Sequence, residues 1–245
     1  MQSIFWKFSN LTGPIFNKEL VVSSRRRRNY VLRFVYITLL ALFVVMLWIE
    51  EVQYGGSALY RASRMSQAGK SIVAIVVWFQ FIMCQLVAIV MLSTSISDEI
   101  YHKTLGVLMT TPISSFQIVM GKLLSKLLQL IILLVISLPL LTIVRIFGGI
   151  PWDFILSSLC ITLATAIFFG SVSLFFSIFC RRAYVTIIVS FLVLGAIFGL
   201  FPLLTAMFYE SMHYSESRYI WFFAYSHPYF QMILNTEILM NPRGM

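Results

Sequence analysis

Long runs of almost purely apolar residues alternate with short polar breaks along this chain. Five runs, at 31–49, 71–92, 123–144, 154–179 and 183–208, are each near the ~20 residues that a helix needs to cross ~30 Å of hydrocarbon. They predict five membrane-spanning helices. Trp48 closes the first run, where an aromatic side chain suits the lipid–water boundary. Pro139 falls near the end of the third and removes a backbone donor there, so a kink is expected. The polar breaks at 50–70 and 145–153 read as connecting loops, the first carrying Gly55-Gly56.

The ends of the chain carry a weaker pattern. Residues 1–28 hold Trp6, Phe8, Leu11, Ile15, Phe16 and Leu20, broken by charges and by Gly13-Pro14. They read as a segment lying along the membrane surface, with a disordered tail as the alternative. From Tyr209 the pattern breaks up: an aromatic stretch to Tyr225, Ser226-His227-Pro228, then 229–240. Neither half of 209–245 is long enough to span, so short interfacial or re-entrant helices are expected.

The most patterned polar break is 96–122. Asp98 and Glu99 open it, as acidic residues do at the start of a helix. Tyr101, Leu105, Leu108 and Met109 recur on one helical face, with His102, Lys103, Gly106 and Thr110 on the other. Thr111-Pro112 ends that helix. Ser114 or Ser115 can cap the next, which carries Gly121-Lys122 into the third span. A short amphipathic helix at the water boundary, 97–113, follows.

Composition agrees with burial in lipid. The chain is 60% hydrophobic and 11% charged, with a mean hydropathy of +0.90; soluble domains run near 25% charged. The net charge of +9 would suggest nucleic acid in a soluble protein. Here the basic residues flank the apolar runs, so no nucleic-acid partner is expected. With those spans, twelve of the eighteen Lys and Arg lie on the side of the N-terminus and of 97–113, which places that side in the cytosol. Arg25, Arg26, Arg27 and Arg28, just before the first span, are placed to hold anionic lipid headgroups. Cys84, Cys160 and Cys180 do not form a disulfide framework, and no Cys/His cluster has metal-ligand spacing.

Candidate chemistry is sparse. No phosphate-binding Gly-x-x-x-x-Gly-Lys-Ser/Thr loop is present, and no motif brings Ser, His and Asp together. No acidic residue or lysine lies deep within a predicted span, as ion-coupled carriers need. Gln80 and Gln85 lie inside the second span and are expected to face other helices, lining of a substrate route being the alternative. Gly195 and Gly199 form a G-x-x-x-G pair, a possible helix-packing face.

Glu99, Thr104-Leu105, Leu108-Met109-Thr110-Thr111-Pro112 and Gly121-Lys122 together resemble the permease subunits of type-2 ATP-binding-cassette exporters. The order of spans, Pro139 and Gly148-Gly149 extend the resemblance loosely over the chain. Gly106 departs from it, since the family often has a glutamate there. The resemblance implies an all-α polytopic membrane protein, one permease domain over 1–245. Its N-terminus would be an interfacial elbow helix. Asp98, Glu99, His102, Lys103, Thr104, Leu105, Thr110, Thr111 and Pro112 would form a cytosolic coupling helix that touches a separate cassette ATPase. ATP and Mg would then bind to that partner, and no cofactor to this chain. It implies a second permease subunit, the same or related, and a bacterial plasma membrane with the N-terminus cytosolic. It also implies a sixth span where this sequence stops, so a truncated product or a fragment is expected. The alternative function is a non-transport membrane scaffold or assembly factor.

Overall fold

The computed structural model describes residues 27–52, 58–101, 115–180, 182–200, 202–204, 207, 225 and 227–241. Among these every regular element is a helix. In chain order they are α1 (Arg27–Val52), α2 (Ala58–Tyr101), α3 (Ser115–Gly148), α4 (Trp152–Phe179), α5 (Ala183–Gly195) and α6 (Pro228–Met240). A π-helical stretch, Ala196–Leu200, prolongs α5. Among the described residues, four stretches are long and apolar enough to cross a membrane: Gly69–Ser97, Phe116–Ile146, Trp152–Phe179 and Ala183–Leu204. The first predicted span is not among these four: it lies in α1, whose apolar stretch Arg33–Leu47 is shorter than theirs.

Three boundaries differ from the sequence expectation. The 145–153 break narrows to 149–151, because α3 runs on to Gly148 and α4 starts at Trp152. The 50–70 break is not all loop, because α2 already begins at Ala58. Its first turns are rich in Ala, Leu, Arg and Met, which are strong helix formers. At the other end, α2 does not stop before Asp98 but runs on to Tyr101. No Gly or Pro lies between Lys70 and Tyr101 to break it. Two hydroxyls that could compete with the helix are turned back on it: Ser93 donates to the Val90 carbonyl at 3.0 Å and Thr94 to Met91 at 3.2 Å. α3 starts at Ser115 and continues past Pro139 to Gly148.

The α3–α4 turn is built by one glycine. Gly149 has φ +62° and its N–H donates to the Arg145 carbonyl at 3.0 Å, closing the helix end in the left-handed form. Arg145 Nε donates to the Ile150 carbonyl at 2.6 Å, and its guanidinium lies 4.2 Å from the centre of the Trp152 ring. Pro151 then leads into α4.

The chain divides into two compact units. One comprises 32–84, 133–165 and 212–245. Its core holds Tyr36 and Leu40 from α1, Val73, Val77 and Phe81 from α2, Leu141 and Val144 from α3, and Phe154 and Ile155 from α4. Met232 and Leu239 of α6 join the same core. Only 13 residues long, α6 is too short to span. It is fastened laterally by Trp78 Nε1 to Thr236 Oγ1 at 3.1 Å and by Ser157 Oγ to Asn235 Oδ1 at 2.8 Å. Tyr229 meets Phe81 edge to face.

The other unit comprises 1–31, 85–132 and 166–211. Its buried apolar cluster is small: Leu92, Ile96 and Leu174, with Met91, Val119 and Leu123 against it. A Cβ at Gly170 would meet Leu92 Cδ2 at 3.1 Å, so α4 approaches α2 closely there. In both units hydroxylated residues such as Ser97, Ser137, Ser158, Thr162 and Ser177 are buried, while Phe34, Leu42, Ile143 and Leu192 are exposed. Lipid accepts large apolar side chains as well as a core does, so small and hydrogen-bonding residues take the helix contacts.

Candidate functional site

The site is the Asp98 end of α2 and what is bound to it. Glu99 and Asp98 were expected at the start of a new helix. They lie instead within α2, in the last residues before it closes at Tyr101. The apolar stretch of α2 ends at Ser97, immediately before them. The polar pair is therefore a direct prolongation of a membrane-spanning rod. His102, Lys103, Thr104, Leu105, Thr110, Thr111 and Pro112 lie outside the described residues, as do the elbow segment 1–26, with Arg25 and Arg26, and the stretch 208–224. Arg27 and Arg28 form the first positions of α1.

Just inside Asp98, the turn 93–97 is gripped from three sides. Ser177 of α4 donates to the Ser93 carbonyl at 2.8 Å and accepts from the Ser97 N–H at 2.9 Å. The Ser97 hydroxyl lies 3.1 Å from the Cys180 carbonyl, which it can reach as donor, and 3.0 Å from Thr186 Oγ1 in α5. One donor and two acceptor directions per hydroxyl allow both at once, with Thr186 donating to Ser97. One turn further in, Ser173 donates to the Ile89 carbonyl at 2.9 Å. From α3, the Lys122 ammonium donates to the Ser95 carbonyl.

These groups are buried. Ser93, Ser97, Ser177 and Thr186 are fully buried, and Lys122 is 2% exposed. A buried ammonium must keep its hydrogen bonds, and a charge-assisted bond to a carbonyl is about twice as strong as a neutral one. Sequence reasoning singled out Gly121-Lys122 but gave Lys122 no partner. It did not find the Ser97–Ser177–Thr186 cluster. The available signal was the i, i+4 spacing of serines on both helices, Ser93/Ser97 and Ser173/Ser177.

The remaining singled-out residues lie elsewhere. Gln80 and Gln85 are buried in α2, and neither polar atom of the Gln80 amide has a hydrogen-bond partner among the described residues. Nothing lies within 4 Å of a Cβ built at Gly195 or Gly199, so these glycines serve no close contact within the described chain. Among the described residues no group of three His, Cys, Asp or Glu is placed to hold a metal ion. Among the described residues, the arrangement is a helix end with polar residues at its tip, bonded to three neighbouring helices.

The sequence model of the family described as ABC-2 family transporter protein matches residues 14–240. No curated protein matches the chain.

Proposed function

The chain belongs to the ABC-2 transporter family, and on that premise we propose that it works as an exporter permease driven by a separate ATPase docked at 98–112. Membership itself makes it an integral membrane permease subunit of an ATP-binding-cassette transporter, a component that carries no ATPase of its own and partners a cassette ATPase. The further steps are ours. Glu99, His102, Lys103 and Thr104 offer the polar face to the ATPase, and Tyr101, Leu105, Leu108 and Met109 the face toward the membrane. ATP and Mg act on the partner. Closure of the ATPases displaces 98–112, and the spans tilt with it to open the route on the opposite side.

The observation that supports this most is the length of α2. Its 44 residues make a rod of about 66 Å at 1.5 Å per residue, roughly twice the ~30 Å hydrocarbon thickness. A displacement at Asp98 is thus delivered to a span without an intervening loop. A second permease completes the route in this proposal. Most residues of the stretch Ala183–Leu204 are exposed within the described chain, and the open Gly195 and Gly199 positions suit close approach by another helix. Arg25, Arg26, Arg27 and Arg28 hold anionic lipid at the cytosolic face of a bacterial plasma membrane.

Co-expression with a cassette ATPase tests the proposal. The two should co-purify with two permeases per particle, and Mg-ATP hydrolysis should differ between the complex and the isolated ATPase. The combined change Glu99→Gln, Lys103→Ala and Thr104→Ala should return hydrolysis in assembled complexes to the isolated rate. Unaltered hydrolysis would remove this polar face from the mechanism. A stable complex with some other protein and no ATPase would make the chain a scaffold.

A further inference from the structure

Tilting one span does not move a bundle unless the others are held to it. We propose that the turn 93–97 of α2 is a polar joint, with Ser97 and Lys122 as its positioning residues, through which motion at Asp98 is passed to α3, α4 and α5 together. The inference deepens the coupling role proposed above and rests on it for direction of motion, while the joint itself rests on geometry alone.

Three features set this turn apart from ordinary helix packing. First, the bonds cross between helices. Ser158, Thr162, Thr165 and Ser171 each donate to a carbonyl of their own helix three or four residues back, at 2.7–2.8 Å. Ser173, Ser177 and Ser97 reach across to the neighbouring element instead. Second, the crossings converge. Within five residues, α2 is bonded to α4 through Ser177, to the residue closing α4 through Cys180, to α5 through Thr186 and to α3 through Lys122. Third, they are adjacent to the rod's polar tip: Ser97 precedes Asp98 directly.

The chemistry suits a joint that transmits rather than yields. Apolar contacts in lipid slide at little cost, because lipid tails replace them. A buried hydroxyl or ammonium that loses its carbonyl finds no water to replace it, so these bonds resist separation. Lys122 adds a long stem: its charge sits on α2 while its Cα moves with α3. Gly170 against Leu92 keeps α4 near enough for serine side chains to bridge.

The test uses the full complex of this chain with its cassette ATPase in lipid nanodiscs. Cys84, Cys160 and Cys180 are replaced by alanine, and spin labels are placed at Phe116 and Phe179, both exposed and at the joint ends of α3 and α4. Electron–electron double resonance then gives their distance with and without Mg-ATP and vanadate. With labelled chains diluted by unlabelled ones so that only one permease per particle carries spins, and with the joint intact, one narrow distance peak is expected, the same in both states. Lys122→Met keeps most of the stem and removes the charge. It should broaden the peak several-fold without nucleotide and split the two nucleotide states apart. Ser97→Ala should do the same from the α4 and α5 side and serves if Lys122→Met does not assemble. Ser171→Ala, which removes a bond within α4 only, should leave the peak unchanged.

Peaks in Lys122→Met and Ser97→Ala that superpose on the unsubstituted trace in both states would overturn the joint. If no ATPase assembles, the coupling role fails, and the nucleotide-free broadening still decides the joint. Broadening by Ser171→Ala equal to that by Ser97→Ala would also overturn it, since any lost hydroxyl would then loosen the bundle.

Discussion

At the scale of single residues, two positions separate local conformation from function. Gly149 stands at φ +62° with nothing within 4 Å of a would-be Cβ. Its requirement is conformational, not steric. Gly149→Ala should therefore destabilise the protein by about 1–2 kcal/mol, the cost of a left-handed backbone for an ordinary residue, and Gly149→Asn by less. Unfolding in mixed micelles measures both, and equal losses for Ala and Asn would refute the backbone argument. Glu99 is the second case. At a helix start its charge would add ~0.3–1 kcal/mol, and that alone would explain it. Because α2 runs through it to Tyr101, neutralisation forfeits no such term. Glu99→Gln should leave the unfolding midpoint unchanged or slightly raised, while the ATPase response of the assembled complex falls. A midpoint that drops in step with the response would return Glu99 to a structural role.

At the scale of elements, the sequence was legible where chemistry is one-dimensional and opaque where it depends on a partner. Four of the five apolar runs located spans, because length and the absence of charge suffice; the first lies in α1, whose apolar stretch Arg33–Leu47 is shorter. Pro228 at the start of α6 and Gly149 at the α3 end were visible as punctuation. The end of span two was misread at Asp98: serines and acidic residues mark a helix boundary in water, yet Ser93 and Thr94 bond back to the helix and let it continue. The crossing partner of Lys122 carries no signal in one sequence, since it is a backbone carbonyl of another helix and any residue supplies one, while Ser177 and its α2 partners show only as matched serine spacing. Close α2–α4 approach is likewise a property of the pair. Gly170 faces Leu92 with 3.1 and 3.3 Å to its two methyls, so a single added methyl requires Leu92 to yield by a few tenths of an ångström. The branched side chain of Gly170→Val should separate the helices and cost about 1–3 kcal/mol, as overpacking does. Adding Leu92→Ala should recover part of that loss, a coupling that a double-mutant cycle reads directly. Strict additivity would mean the two residues do not touch.

At the scale of the whole molecule, the distribution of charge supports the proposed orientation, with the N-terminal side in the cytosol. Twelve of eighteen basic residues fall on the side of the N-terminus and Asp98, counted over the short segments where such bias sets orientation. Arg25 to Arg28 alone supply four of them, immediately before α1. An ATPase can dock only in the cytosol, where ATP is, so the coupling proposal demands the same orientation from an independent premise. The two arguments meet at one measurement. In intact cells, single cysteines introduced in a cysteine-free background should react with an impermeant thiol reagent at Ser57 and Ser217, and should stay unreacted at Ser24 and Thr110 until the membrane is opened. Ser24 and Thr110 share the N-terminal side but lie on opposite sides of α1 and α2 in the chain, so they test the count of crossings as well as the sign. Reaction at Thr110 from outside would overturn orientation and coupling together, because no ATPase could reach the tip of α2. Reaction at Ser24 alone would leave the tip of α2 where it is and require α1 not to cross.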